Sequence, residues 1–170
     1  MNFSISQEVQ EGLPLYRIRH NGSSTSVAVL PEYGASWHEW RGPLQGQELK
    51  LIDNYTSKEH IEKKFTLSYK SAKLSPFVCR LNESSYTWEG VQFKADRFIL
   101  NGHAIHGLLY DVPHEVMIAE ASAFMCECKF LYKYKGTHPG FPFAFDMNVR
   151  FRLFLLFMLS QNIKSITRKK

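Results

Sequence analysis

Short alternations of apolar and polar residues, punctuated by Gly, Pro, Asn and Ser, run along most of this chain and predict strands rather than helices. Leu15-Tyr16-Arg17-Ile18-Arg19 alternates and ends at the turn dipeptide Asn21-Gly22, with Ser26 to Leu30 as its partner. Pro31-Glu32-Tyr33-Gly34 breaks that run. Ala35 to Arg41 resumes it, with Trp37 and Trp40 as large apolar anchors expected in the core rather than stacked on a sugar. Glu48 to Asp53 reads as a short strand. From Tyr55 to Lys64 the character changes: Thr56 stands three residues before Glu59, the spacing of a capping box, and the charges behind it predict a short exposed helix. Lys64 to Leu74 alternates weakly, with Phe65, Leu67 and Tyr69 on one side. Glu89-Gly90, flanked by Tyr86, Trp88, Val91 and Phe93, predicts a tight hairpin, expected to carry Arg80 and His106 on two strands leading from a common bend. His114 to Phe124 and Glu127 to Tyr134 read as an antiparallel pair, and Gly136 to Phe143 as a loop. The sum is an all-β, antiparallel β-sandwich.

Composition supports one such domain. A chain of 170 residues can bury a sizeable core, and 13 Phe, 8 Tyr and 3 Trp supply it. The net charge of +5 points toward nucleic acid until its placement is read: Lys164, Arg168, Lys169 and Lys170 crowd the C-terminus, and the remainder is close to neutral. A basic terminus is usually a solvated end, and no nucleic-acid-binding motif accompanies it, so no nucleic acid partner is expected. Cys79, Cys126 and Cys128 make an odd count, and the N-terminus lacks the regions of a signal peptide; a reducing cytoplasm is the simpler location. Cys126 and Cys128 share one face if their segment is a strand, and buried thiols are favoured there over a metal pair. The apolar run Phe151 to Leu159, broken by Arg152, falls far short of the roughly 20 residues that span a bilayer, so no membrane anchor is expected.

Candidate chemistry concentrates between Pro76 and Asp111. Asn101-Gly102-His103-Ala104-Ile105-His106-Gly107 holds two imidazoles three residues apart, between glycines that let the backbone approach a ligand closely. A solvated turn is the alternative account of such a loop. His-x-x-His hints only weakly at a metal, since zinc takes three or four ligands from separated stretches and no second ligand pair stands out. No metal is assigned.

Arg80 at the head of a strand, the Gly90 hairpin, Asn101 and then His106-Gly107 resemble the N-terminal signature of the aldose 1-epimerase (galactose mutarotase-like) family, closer to its divergent bacterial branch. PEYGASWHEWR is similar to that family's opening strand pair, and HPGFPFAFDMNVRFRL to a later strand, so the resemblance covers about residues 26–153. It implies a galactose mutarotase-like supersandwich that interconverts the α and β anomers of a hexose or hexose derivative by acid/base ring opening, with no cofactor. It further implies that His106 matches the histidine of the His-Gly turn and Arg80 the arginine contacting sugar hydroxyls. His138, in the loop before Gly140, is the candidate acid against an exposed loop residue. His103 has no counterpart and is set behind the site with Asn101, whose side chain can steady the turn. Lys73, Lys94 and Arg97 lie where a phosphorylated substrate would want basic groups, although solvated strand edges explain them as well.

Family members draw a glutamate base from a C-terminal half that has no counterpart here. Residues 1–153 therefore read as the N-terminal part of a sandwich, and residues 154–170, apolar and then basic, as an aberrant tail of a truncated chain. Two functions of different class follow: an isomerase using His106 and His138, or a non-catalytic carbohydrate-binding remnant using Arg80 and aromatic faces. A plain structural β domain is the third. In each sugar-directed reading the partner is a small-molecule sugar, and the protein is a monomer or weak homodimer.

Overall fold

The structure, a computed structural model, describes residues 2–154 and 159–167. Strands β1 (Phe3–Gln10), β2 (Leu13–His20), β3 (Thr25–Leu30), β4 (Ser36–Leu44) and β5 (Gln47–Lys50) form one antiparallel sheet in chain order. The one α-helix among the described residues, α1 (Lys58–Ser68), follows. Next come β6 (Arg80–Leu81), a 3₁₀ turn at Asn82–Ser84, and the strands β7 (Ser85–Trp88), β8 (Val91–Lys94), β9 (Ile99–Leu100) and β10 (His103–Ile105). The chain closes with β11 (Glu115–Ala121), β12 (Met125–Tyr134), β13 (Phe145–Phe154) and β14 (Leu159–Thr167), a four-stranded antiparallel sheet.

Alternation decides which face each sheet buries. Ile18, Val27 and Val29 point from the first sheet toward Cys128, Phe130, Val149 and Phe151 of the last, and this interior is the sandwich core. Trp37 and Trp40 pack against it, the Trp37 ring 6.2 Å from that of Phe151. Cys126 and Cys128 are buried free thiols there, pushed up by burial to about 11 and about 12. The opposite residues of the first sheet, Leu13, Leu15, Ala28 and Leu30, form a second core with Ile61 and Phe65 of α1 and with Tyr55 and Tyr110. Fully burying each Leu, Ile or Phe among them contributes about 1.5–3 kcal/mol.

Several local expectations change. The helix is capped by Ser57, whose hydroxyl accepts from the His60 N–H at 3.1 Å, while Thr56 Oγ1 meets His60 Nδ1 at 3.0 Å. It runs four residues past Lys64, through the stretch that alternates weakly. Ile61 and Phe65, four apart, are the inward pair, and Leu67 is 71% exposed. Asn21-Gly22 is no two-residue turn: residues 21–24 join β2 to β3, with Ser24 carrying the left-handed φ of 55°. Phe3–Gln10 adds a strand that the pattern did not signal.

Arg80 and His106 do not sit on the arms of the Glu89-Gly90 hairpin. β7 and β8 pair only with each other, whereas β6, β10 and β9 form a separate three-stranded sheet with β10 in the middle. Arg80 lies opposite Ile105, and the Ala95 N–H donates to Ser84 O at 2.8 Å, closing the hairpin off as an excursion. Residues 159–167, inside the stretch set apart as a tail, pair along β13 with Leu159 opposite Leu153. The middle of the apolar run (155–158) and the basic residues 168–170 lie outside the described residues. Among the described residues no helix is long and apolar enough to cross a membrane.

Candidate active site

His106 follows β10 at a φ of 61°, its N–H donating to Cys79 O at 2.9 Å. The next residue fixes the turn in place. A Cβ on Gly107 would stand 2.1 Å from Ser75 O, the atom that accepts from the N–H groups of Leu108 at 2.6 Å and Leu109 at 3.2 Å. Gly34, in the turn between β3 and β4, presses on the same segment, its missing Cβ 2.2 Å from Tyr110 O and its N–H donating to Val112 O at 2.9 Å. Only glycine permits backbones this close, so the segment carrying His106 is held between residues 75 and 34.

A cleft of about 580 Å³ opens beside it, walled by Tyr69, Arg97, Phe98, Ile105 and His106, with Leu67, Ile99 and Leu100 among its outer residues. Edge-on contact with Tyr69, 4.3 Å between ring centroids, orients the imidazole. Its Nδ1 is buried without a hydrogen-bond partner, as are Asp111 Oδ1 and the Tyr110 hydroxyl, which lies near Tyr69 without closing a hydrogen bond. Burial raises the Tyr110 phenol above its ordinary value, and Tyr69 and Asp111 add to the effect. Arg97 is pinned by Leu108 O and by Asp111 Oδ2 at 3.0 Å, with its guanidinium 4.5 Å above the Phe98 ring.

The other expected site residues fall at different distances from this cleft. Arg80 is exposed; cross-strand pairing sets it on the face of Ile105, yet it does not wall the cleft. Asn101 (φ 52°) and Gly102 (φ 81°) make the two-residue turn between β9 and β10. His103 Nδ1 accepts the Glu83 N–H at 3.0 Å, and Ser84 Oγ donates to Gly102 O at 3.3 Å. His103 and the Gly102 carbonyl therefore brace the 3₁₀ turn that follows Arg80, and Asn101 serves the turn itself. His138 occupies a neighbouring cleft of about 270 Å³ with Tyr132, Tyr134, Thr137 and Pro139. Its Nδ1 accepts the Gly140 N–H at 3.0 Å, which leaves Nε2 facing Asp96 Oδ1 at 3.6 Å. Arg97 belongs to the walls of both clefts, and His106 and His138 are not brought into one.

Tyr69, Phe98 and Asp111 join the site without having been singled out. Of the three basic residues considered for a phosphate, only Arg97 walls the cleft. Lys73 is buried, its Nζ donating to Ser71 O at 2.8 Å and lying 5.7 Å over the Phe151 ring, and burial lowers its pKa to about 8. Among the described residues no group of three or more His, Cys, Asp or Glu is placed to hold a metal ion.

A family model described as aldose 1-epimerase matches residues 14–164. A galactose mutarotase-like protein from Clostridium acetobutylicum superposes with a TM-score of 0.76 at 14% identity, over 98% of this chain and 49% of its own. Galactose 1-epimerase from Lactobacillus acidophilus gives 0.71 at 16% identity, again over 98% and 49%. An aldose epimerase homologue from C. elegans gives 0.66 at 16% identity, over 85% and 43%. The chain thus spans about half the length of these structures, and at such identities the likeness is one of fold. No curated protein matches the chain by sequence. With its antiparallel, all-β fold of the galactose mutarotase-like kind and a family match over most of its length, the chain belongs to the aldose 1-epimerase family.

Proposed function

We propose that the His106 cleft binds a hexose or hexose derivative and interconverts its α and β anomers. A base removes the proton from the C1 hydroxyl while an acid delivers one to the ring oxygen, and the C1–O5 bond breaks. The aldehyde rotates, O5 re-adds to the other face of C1, and both protons return. The observation that carries this reading is the His106 imidazole, oriented by the Tyr69 ring at the wall of the cleft. Phe98 and Tyr69 offer apolar ring surface to a pyranose, and Arg97 has N–H groups to spare for hydroxyls. Arg80, one strand from Ile105, is the outer hydroxyl contact. His138, to which the resemblance gives the acid role, lines the neighbouring cleft, which shares Arg97 with that of His106. Three free cysteines favour a reducing cytoplasm, and a monomer or weak homodimer completes the reading.

Binding without turnover is the second reading, favoured by one observation: among the described residues no carboxylate walls the cleft, and Asp111 is engaged with Arg97. Polarimetry of freshly dissolved α-glucose and α-galactose, run beside a calorimetric titration, separates the two. Isomerase activity predicts faster decay of rotation, reduced about 10²–10⁴-fold in H106A. Binding with no acceleration selects the second reading, and absence of both rejects the pair.

A further inference from the structure

We infer that the outer face of the last sheet carries a binding site of its own, for a free α-amino acid with an apolar side chain of about the size of leucine. The site is a groove of about 370 Å³, within the roughly 300–1,000 Å³ usual for small-molecule sites. It shares no wall residue with the His106 cleft, and its residues play no part in the sugar reading.

Register assembles its charges. Glu120 of β11, Glu127 of β12 and Arg152 of β13 lie opposite one another in one row across three strands, and Arg150 stands two residues from Arg152 on the same face. Glu127 is buried in the floor because both guanidiniums close over it: Arg152 Nε donates to its Oε2 at 2.5 Å, and Arg150 Nε pairs with its Oε1 at 3.0 Å. An arginine carries five N–H donors, and Glu127 meets each of these at the Nε edge, so the Nη groups hold the capacity to grip a second carboxylate. Glu120 is exposed and belongs to neither pair. Like charges directly opposite each other on neighbouring strands are destabilising, so the Glu120–Glu127 pair favours a cation beside it.

The groove thus has one end for an ammonium and one for a carboxylate. β11 and β13 are two strand spacings apart, roughly 9.5 Å. An α-ammonium and its own carboxylate bridge that span with a charge-assisted hydrogen bond of about 2.7–2.9 Å at either end, whereas the termini of a peptide stand too far apart. The charged groups that line the groove, Glu120, Glu127, Arg150 and Arg152, sum to zero, which matches a zwitterion and disfavours a phosphate; Lys129, between Ile118 and Arg150 in the next row, does not line it. Ile118, Ala121 and Met125 supply the apolar wall. The Met125 backbone is fixed by Ser122, whose Oγ accepts its N–H at 3.1 Å and donates to its carbonyl at 3.0 Å, while the flexible thioether adapts to the ligand's side chain.

Calorimetry with leucine, leucinamide, isocaproate and inorganic phosphate, on the full chain and its E120Q and R150Q variants, tests this, with circular dichroism of each variant as the check on folding. Leucine is expected to bind, with leucinamide, which lacks the carboxylate, and isocaproate, which lacks the ammonium, each weaker by about tenfold or more. E120Q, at an exposed position that leaves the fold intact, is expected to weaken leucine by about tenfold and to narrow its margin over isocaproate. R150Q is expected to narrow the margin over leucinamide; should that variant unfold, E120Q decides alone. Failure of leucine to bind the unaltered chain, leucine binding unchanged in E120Q, leucinamide or isocaproate binding as tightly as leucine, or phosphate binding more tightly than leucine overturns the site and leaves the His106 reading untouched.

Discussion

Lys73 shows how a single side chain can mislead when read from its neighbours in sequence. Its charge suggests a solvated edge or a phosphate contact, but the chain turns it into the interior, where burial lowers its pKa to about 8 from 10.5. An amine with a depressed folded pKa burdens the native state below pH 8, and stability is gained as pH rises from 8 to 10.5, where the unfolded chain holds more protons. Urea titrations should show that gain in the unaltered chain and not in K73M, which is expected to be more stable at pH 7 by on the order of 3 kcal/mol. Glu39 gives the opposite lesson. Burial raises its pKa, yet hydrogen bonds from Arg41 and Arg17 overcome this and hold it at about 2. E39A leaves Arg17 buried without its inner partner and should cost about 3–5 kcal/mol by the same measurement. Neither environment was visible beforehand, because partners two strands apart in one sheet, such as Arg17 and Glu39, are set by register and not by spacing.

Strands and turns were legible where each element carries its own pattern. β13 alternates buried Phe145, Met147, Val149, Phe151 and Leu153 with partly exposed residues, because one face meets the core and the other does not. β1 escaped notice since it is an edge strand: Gln7, Glu8 and Gln10 are polar and Val9 is 73% exposed, so little alternation survives. β6 and β9 are two residues long, too short for any period, and exist only by pairing with β10. The helix was expected, but its cap is Ser57 and not Thr56, and it runs past Lys64, where Phe65, Leu67 and Tyr69 mimic a strand. Its Ser57 cap makes a measurable contribution: S57A should lower stability by about 1 kcal/mol. G107A should do far more, as the new Cβ meets the Ser75 carbonyl at 2.1 Å and the φ of 78° disfavours it. Loss of sugar binding with most of the β circular dichroism retained is the expected outcome.

The sandwich was readable in advance because both sheets put period-two faces into one interior, whereas the site depends on contacts between segments far apart in sequence: Tyr69 on His106, Gly34 on Tyr110, Arg97 on Asp111. Acid should dismantle the whole in two stages. His38, lowered by burial and by Lys50 to about 4 from 6.5, makes stability fall as pH drops from 6.5 to 4, and Glu39 continues the loss from 4.5 to 2. Unfolding midpoints measured along that range should decline throughout, with the upper part flattened in H38L. The β7–β8 excursion has one more outcome. Tyr86 Oη donates to Gly140 O at 3.0 Å and Phe93 touches Phe143, so this ribbon props up the loop of His138, while the zipped β6–β10 pair holds His106 without it. Since residues 84 and 95 already meet at its base, the ribbon is a cassette: evolution or a designer can excise or swap it to retune the outer recess, while the inner one keeps its shape.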